Sequence, residues 1–572
     1  MKIISKSNFK SLESQTEKNV FIIEDDWNLN GEELELPQRS ILRFEGGSIK
    51  NGTLIMQDTA LEKAQANSID AIVRGTMSDN VIYTSTIGGA NNLNLSSYSN
   101  KVIYFDQNET ISNTLTLNGS SHVVFDGLNN QFTCNVNFFV VNGACVDVEI
   151  RNFHAVAGTN MNVQFQKMSY DNCIRRRIYV HHNVLDGFTV GISFDGYQSD
   201  SSSLTVGVFN CKASNNYIFN AKQTYTSGSE NSDGYAIHLG NARHCEVVDN
   251  YIENAGRHAI YHAYGQYNRI AGNTIKEHRR TMTNSVVRSA IPVYRNSRYV
   301  VIEDNNFINC YNVCIHTYET SEATSSTATN KYNHQVGIVI RNNHFCNTDN
   351  HGVTVNSSSI TGYLHPAIMV GYNAQSPTQD KFFVDDITIE NNHFEFVNTV
   401  WLFAIRVYYC RNIVVRGNQF TFGYTLGLSI PTTTYPFCIV SIEPTYKTLA
   451  MKADIVQNTF KAISLGGLQI WCISYIGDLL TGSSFVVSVQ GNHFLNYRGS
   501  SSLVYNIYKG YNAYTDNTYR TNIHVQKENI VLNAVPTSGY HLQGDMAYIN
   551  DNGTFKHYWC STSGSPGSWV QI

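Results

Sequence analysis

Charge is thin along this chain of 572 residues: Asp, Glu, Lys and Arg together make up 15%, and the formal net charge is -5. Phosphate recognition needs a basic stripe, so nucleic acid is not expected as a partner. The twelve cysteines form no CxxC pair and no zinc spacing, so neither a disulfide framework, a metal nor a cofactor is expected. No stretch is apolar enough to span a bilayer, which excludes membrane insertion by a helix. The opening MKIISKSNFKSLESQTEK lacks the apolar run of a secretory signal, so export through a signal peptide is not expected of a chain that starts here. Prolines number only nine, and no window carries a sustained helical period.

What is present is a repeat. The plan of Cys245 to Tyr264, CEVVDNYIENAGRHAIYHAY, returns along the chain. An alternating run leads to Asn, one free position and an apolar residue; a polar turn then leads to a small residue, Ile and a second alternating run. The asparagines are Asn183, Asn216, Asn250, Asn273, Asn305, Asn343, Asn392, Asn418, Asn458, Asn492 and Asn517. Their spacing of roughly 23 to 49 residues describes a fixed coil carrying loops of variable length. Asn tolerates the left-handed backbone of a tight bend, and its amide can bond the matching Asn one coil away. The second column is Gly191-Ile192, Ala236-Ile237, Ala259-Ile260, Ala290-Ile291, Cys314-Ile315, Ala367-Ile368, Ala404-Ile405, Cys438-Ile439 and Cys472-Ile473. Two columns in the same order on the same coils predict an all-β chain, a right-handed parallel β-helix.

Three regions are expected: an N-terminal arm and capping or attachment segment over 1–66, the β-helix over 67–525, and a small C-terminal β module over 526–572. Residues 1 to about 20 are polar. The stretch from Ala64 to Ser99 is poor in pattern and reads as a crossing loop or small subdomain. Gln223–Ser232, Thr320–Tyr332, Ser357–His365 and the residues around Tyr424–Tyr435 read as long insertions, the kind that build binding walls or subunit contacts.

The Asn ladder with its Ile column resembles the pectate-lyase-like β-helix superfamily, which holds polysaccharide lyases, polygalacturonase-type hydrolases and bacteriophage tailspikes. The opening LELPQRSILRFEGGSIKNGTLI is similar to the first coil of β-helix proteins from gut bacteria and their phages. The ending DMAYINDNGTFKHYWCSTSGSPGSWVQI looks like a terminal module of phage tail fibres and spikes. The tailspike resemblance implies a virion protein, a homotrimer that binds and often cleaves a bacterial surface glycan, attached to other phage tail proteins through its N-terminal segment. An extracellular polysaccharide lyase or glycoside hydrolase, and a structural virion β-helix without a ligand, remain as alternatives.

Strict alternation places the Ile column inward and the residues on either side of it outward. The first outward column then reads Ser193, His238, Tyr261, Pro292, His316, Met369, Arg406, Val440 and Ser474; the next reads Asp195, Gly240, Ala263, Tyr294, Tyr318, Gly371 and Tyr408. Such a strip suits a sugar chain, with a floor of small residues, Tyr rings for apolar sugar faces, and His, Arg and Asp for hydroxyls or carboxylates. Such ladders also stabilise stacked coils without a ligand, the lesser of the two readings.

Hydrolysis needs two carboxylates about 5 to 9.5 Å apart, and Asp195 with Asp233 is the nearest outward pair. Glu319 and Glu443 share a column but stand about three coils apart, too far at about 4.8 Å per coil. For β-elimination, His238, Tyr261 and His316 are candidate bases, and Arg257, Arg295 and Arg406 candidate carboxylate holders. Tyr294, Tyr318, Glu319 and Tyr408 complete the glycan-binding set. His262 points inward and is expected to be a hydrogen-bonded core histidine.

Overall fold

The computed structural model describes residues 2–3 and 20–346, except 160–161, 170, 172, 197–206, 223–224, 227–228, 231–233, 279–288, 311–312 and 319–332. Beyond these it describes 366–371, 382–397, 403–408, 410–423, 437–442, 451–464, 469–475, 485–495, 503–509, 522–525, 529–532, 535, 546–551, 554–562 and 568–571.

Each sequence unit folds as one coil of three short strands. In the coil that begins at Cys245, Glu246–Val248 joins the first sheet, Tyr251–Glu253 the second and His258–Ala263 the third. Asp249, Asn254 and Tyr264 turn the corners with φ near 55°. Every strand then pairs in parallel with its equivalent one coil on: Ile252 with Ile275, Ile237 with Ile260, Val247 with Ile270. Among the described residues the second and third sheets each carry 13 strands. The molecule is a right-handed parallel β-helix, the hand that twisted parallel strands impose on their crossovers.

A single cluster of buried side chains runs from Phe21 to Val489. The N-terminal strands Val20–Ile23, Ile41–Phe44, Ile49–Glu62, Ile69–Met77 and Leu93–Leu95 pair in parallel in that order, so this pairing crosses residue 66. Ala64 to Ser99, weak in pattern, contains two of these strands and two short 3-10 turns. Near the C-terminus, Asn529–Leu532, Met546–Asp551, Thr554–Thr562 and Ser568–Gln571 form a separate four-stranded sheet. None of the twelve cysteines is bridged. Among the described residues no helix is long and apolar enough to cross a membrane.

The asparagine column is a continuous ladder from Asn183 to Asn492; Asn517 and residues 4–19 lie outside the described residues. Asn250 Nδ2 donates to Asn273 Oδ1 at 2.9 Å, Asn273 Nδ2 to Asn305 Oδ1 at 2.9 Å, and Asn305 Nδ2 to Asn343 Oδ1 at 2.9 Å. Each amide also donates to a carbonyl of the preceding coil, as Asn273 does to Val247 at 2.9 Å. Each Oδ1 also accepts the backbone N–H of the preceding Asn, 3.0 Å from Asn250 to Asn273. One expectation is corrected. The ladder asparagines are not themselves left-handed; the residue before each one is: His182, Asn215, Asp249, Gly272, Asp304, Asn342, Asn391, Gly417, Gln457 and Gly491. The bend is made one residue early, which leaves Asn extended with its amide aimed into the core.

Beneath the ladder, Phe307, Phe345, Phe394, Phe420 and Phe460 stack face to face, with successive centroids 4.8, 4.6, 4.8 and 4.8 Å apart. These are the apolar residues two positions after the Asn, so one strand carries a polar ladder and a parallel aromatic one. Loss of one rung strands several buried groups at about 1–3 kcal/mol each. Asn273→Ala is therefore expected to cost about 3 kcal/mol or more in urea unfolding. Asn492→Ala, at the half-buried end of the described ladder, is expected to cost less than half as much.

Candidate functional site

The third sheet begins with an irregularity that strict alternation missed. Ala259 N and Ile260 N both donate to Ala290 O, at 2.9 and 3.0 Å, and Cys314 N and Ile315 N share Ala367 O in the same way. The small residue is an extra one at a bulge, stacked coil upon coil. It therefore faces the core with the Ile that follows: Ala236, Ala259, Ala290, Cys314, Ala367, Ala404, Cys438 and Cys472 are all buried in the central cluster. A Cβ built on Gly191 would lie 3.4 Å from the core side chain of Ile218. The expected outward floor of small residues is thus corrected. In its place the flip turns Tyr235, the residue before the bulge, onto the outer face, where it joins Val190, Tyr261, Ala263 and Tyr294 in a second cluster. Register also shifts near the C-terminal end: Ser441, not Val440, stands beside Arg406 and Ser474.

With those corrections, the expected columns are brought together. Ser193, His238 and Tyr261 are neighbours in register, as are Asp195, Gly240 and Ala263. Pro292, His316, Met369 and Arg406 follow, beside Tyr294 and Tyr318. Rings pack from coil to coil, Tyr235 on Tyr261 at 4.8 Å between centroids, Tyr261 edge-on to Tyr294 at 5.5 Å and Tyr294 edge-on to Tyr318 at 4.1 Å, while His316 stacks on Tyr318 of its own strand at 4.1 Å. His316 Nε2 lies 3.0 Å from Gly371 O. Arg257 sits over the Tyr235 ring, and the Arg406 guanidinium lies 4.8 Å from both the Phe403 and the Tyr408 ring. Arg295 Nη1 donates to Tyr264 Oη at 3.3 Å.

This strip is dry. Tyr261 is 9% exposed, Tyr294 6% and His316 2%. Burial, and then the neighbouring Tyr235, pushes the Tyr261 phenol up; burial and then Tyr318 does the same to Tyr294. Neither phenol is ionised at neutral pH, so Tyr261 is not available there as a phenolate base.

Asp195 is the unusual member. It is 1% exposed, and neither carboxylate oxygen accepts a hydrogen bond from a described residue. His238 Nδ1 stands 3.8 Å from Oδ2, close enough for attraction and too long for a hydrogen bond. His238 Nε2 also has no hydrogen-bond partner among the described residues. The carboxylate lies in the space that a side chain at position 240 would fill: a Cβ on Gly240 would collide with it. Gln166 backs this corner, its Oε1 accepting Ser193 N at 2.9 Å. A buried carboxylate left without a donor is costly unless a ligand or water supplies one.

Asp233, Glu319 and Glu443 lie outside the described residues. His262 is the core histidine expected: fully buried, with Nδ1 3.1 Å from Ser297 Oγ and Nε2 2.9 Å from Asn268 Nδ2. Missed from the sequence were Tyr235 and the role of Gly240. The first was hidden by the bulge, and the second by a glycine whose missing Cβ matters only one coil away.

No family model matches the chain, and neither does any curated protein. Among solved structures, the catalytic unit of the GH87 alpha-1,3-glucanase from Streptomyces thermodiastaticus is similar at a TM-score of 0.41 and 13% identity. The match covers 70% of this chain and 64% of that one, so the chain spans less than two thirds of its length. The Dettilon tailspike protein gives a TM-score of 0.40 and 14% identity over 85% of this chain and 76% of that one. A double mutant of the tailspike of E. coli bacteriophage HK620 gives 0.35 and 13% over 87% and 76%. Each of these matches is a likeness of fold, and the parallel β-helix is what the Asn ladder led us to expect.

Two outcomes follow from this geometry. Burial pushes the His262 imidazole down to about 3, while an unfolded histidine titrates near 6.5. As pH falls below about 6.5 the unfolded chain takes up a proton that the folded one refuses, so this contribution is full above that pH and is lost on acidification. The loss runs at about 1.4 kcal/mol per pH unit. The urea midpoint of the wild type should fall more steeply between pH 6.5 and 4 than that of His262→Asn. Gly240→Ala should leave the far-ultraviolet circular dichroism unchanged while forcing the Asp195 carboxylate aside.

Proposed function

We propose that the chain recognises a bacterial surface polysaccharide, as a tailspike does, on the outer face of its third sheet, and that it cleaves the polymer there. The observation that carries this reading is Asp195: buried, without a hydrogen-bond donor among the described residues, leaning over Gly240 and facing His238 at one end of an aromatic strip. In this reading a sugar hydroxyl or the attacking water supplies the missing donor. Tyr318, His316 and Arg406 hold neighbouring sugars, with Tyr294, Tyr408, Arg257 and Arg295 shaping the strip. Asp195 is assigned as one carboxylate of a hydrolytic pair and Asp233, two residues before Tyr235, as the other. His238 faces Asp195 across 3.8 Å. Elimination from a uronate is the competing chemistry, with His238 as base and the three arginines holding the carboxylate.

A homotrimer displayed on a virion, joined to other tail proteins through residues 1–66, belongs to the same proposal; an extracellular enzyme is the alternative. The mass in solution tests the trimer, and a monomer contradicts it. One observation favours the ligand-free reading: Tyr235, Tyr261, Tyr294 and His316 are each less than one-tenth exposed, as rings that only stack coils would be.

Incubation with host capsule separates these readings. New reducing ends alone mean hydrolysis, ends with unsaturated-uronate absorbance mean elimination, and neither leaves binding or scaffolding. Asp195→Asn is expected to lower cleavage about 10²- to 10⁴-fold with binding retained; unchanged cleavage removes Asp195 from the chemistry. The triple variant His316→Ala, Tyr318→Ala, Arg406→Ala is expected to abolish binding in a folded protein, and undiminished binding moves the site off this strip.

A further inference from the structure

On the outer face of the second sheet, two adjacent coils present His-x-Cys and His-x-Glu side by side. Strand His344–Cys346 pairs in parallel with His393–Val397, with His344 opposite His393 and Cys346 opposite Glu395. Period-2 alternation points all four side chains away from the core, with Phe345 and Phe394 buried between them. A nitrogen of His344, the sulfur of Cys346 and a carboxylate oxygen of Glu395 all lie within 4.8 Å of one another. His344 Nε2 stands 3.6 Å from Glu395 Oε2, and that nitrogen is buried with no hydrogen-bond partner among the described residues. The His393 ring lies against the His344 ring, with centroids 5.0 Å apart and planes 19° from parallel.

We propose that these residues bind a borderline-soft divalent cation of the zinc type. A tetrahedral ion with bonds of about 2.0–2.3 Å sets its ligand atoms about 3.3–3.8 Å apart. The His344–Glu395 separation already meets that, and the sulfur needs to close by about 1.3 Å at most. His344, Cys346 and Glu395 supply three ligands, and His393 or a water the fourth. Binding takes the thiolate form of Cys346 and releases its proton to solvent, so affinity falls at low pH.

The location gives the ion a task. Between Asn343 and Asn392 the ladder spans 49 residues, more than any other rung between neighbouring ladder asparagines. A clip across a long excursion removes more entropy from the unfolded chain than one across a short one. The cation staples the two coils that flank this excursion. The site escaped the spacing rules because its two halves are one coil apart in space and nearly fifty residues apart in sequence.

Cobalt(II) is the probe. Added to chelator-treated full-length protein, it is expected to bind at one equivalent with tetrahedral visible bands and a thiolate-to-cobalt charge-transfer band, and zinc is expected to displace it. Cys346→Ser should lose the charge-transfer band and more than about 100-fold in zinc affinity, since even outer partners of a ligand are worth about 10- to 100-fold. Glu395→Gln should keep the band and bind more weakly. Zinc should raise the thermal midpoint of the wild type and not that of Cys346→Ser, with circular dichroism confirming that both variants fold. A wild type that binds cobalt without the thiolate band, or a folded Cys346→Ser that binds zinc as tightly as the wild type, overturns the proposal.

Discussion

A buried asparagine amide has two donors and an acceptor to satisfy, and along this ladder the neighbouring coils supply the amide and carbonyl partners on both sides. That constraint governs the rest of the molecule. Asn250 is complete only when Asn273 lies in register one coil away and Ala213 one coil behind, and the same holds along the ladder to Asn492. A slip of one residue would leave a row of buried amides unpaired and turn every apolar side chain outward. Register is therefore fixed, and fixed register allows loops of any length between rungs.

Fixed register also creates the surfaces. Side chains distant in sequence become neighbours: Asp195 with Gly240, His316 with Met369, His344 with His393. The third sheet gains a buried aromatic seam and a carboxylate that no described residue hydrogen-bonds, the second a cluster of metal-binding residue types. The glycine at 240 shows how tightly the coils are coupled, because its lack of a side chain is what admits the carboxylate of the coil before it.

Much of the fold could be read from the text of the chain, because Asn and its downstream apolar residue are a one-letter record of the polar and aromatic ladders. The Ile column placed His238, Tyr261, His316 and Arg406 on one face for the same reason. What escaped was local geometry without a letter of its own. The left-handed bend falls on the residue before Asn, and that position accepts His, Asn, Asp, Gly or Gln. The bulge at Ala259 and its equivalents inverts alternation for one step, which hid Tyr235 and misplaced the small residues. Ser441 replaces Val440 because register moves by one there. The His344–Glu395 cluster was invisible because its two halves sit on different coils.

The in-register stack can be measured directly by placing spin labels at Tyr217 and Gln419, both exposed on the second sheet. The pairing Tyr217, Tyr251, Thr274, Asn306, His344, His393, Gln419 separates them by six coils. At about 4.8 Å per coil the dipolar distance should be narrow and centred near about 29 Å. A broad distribution, or a centre displaced by more than about two coils' worth, roughly 10 Å, would contradict the stack on which both surfaces depend.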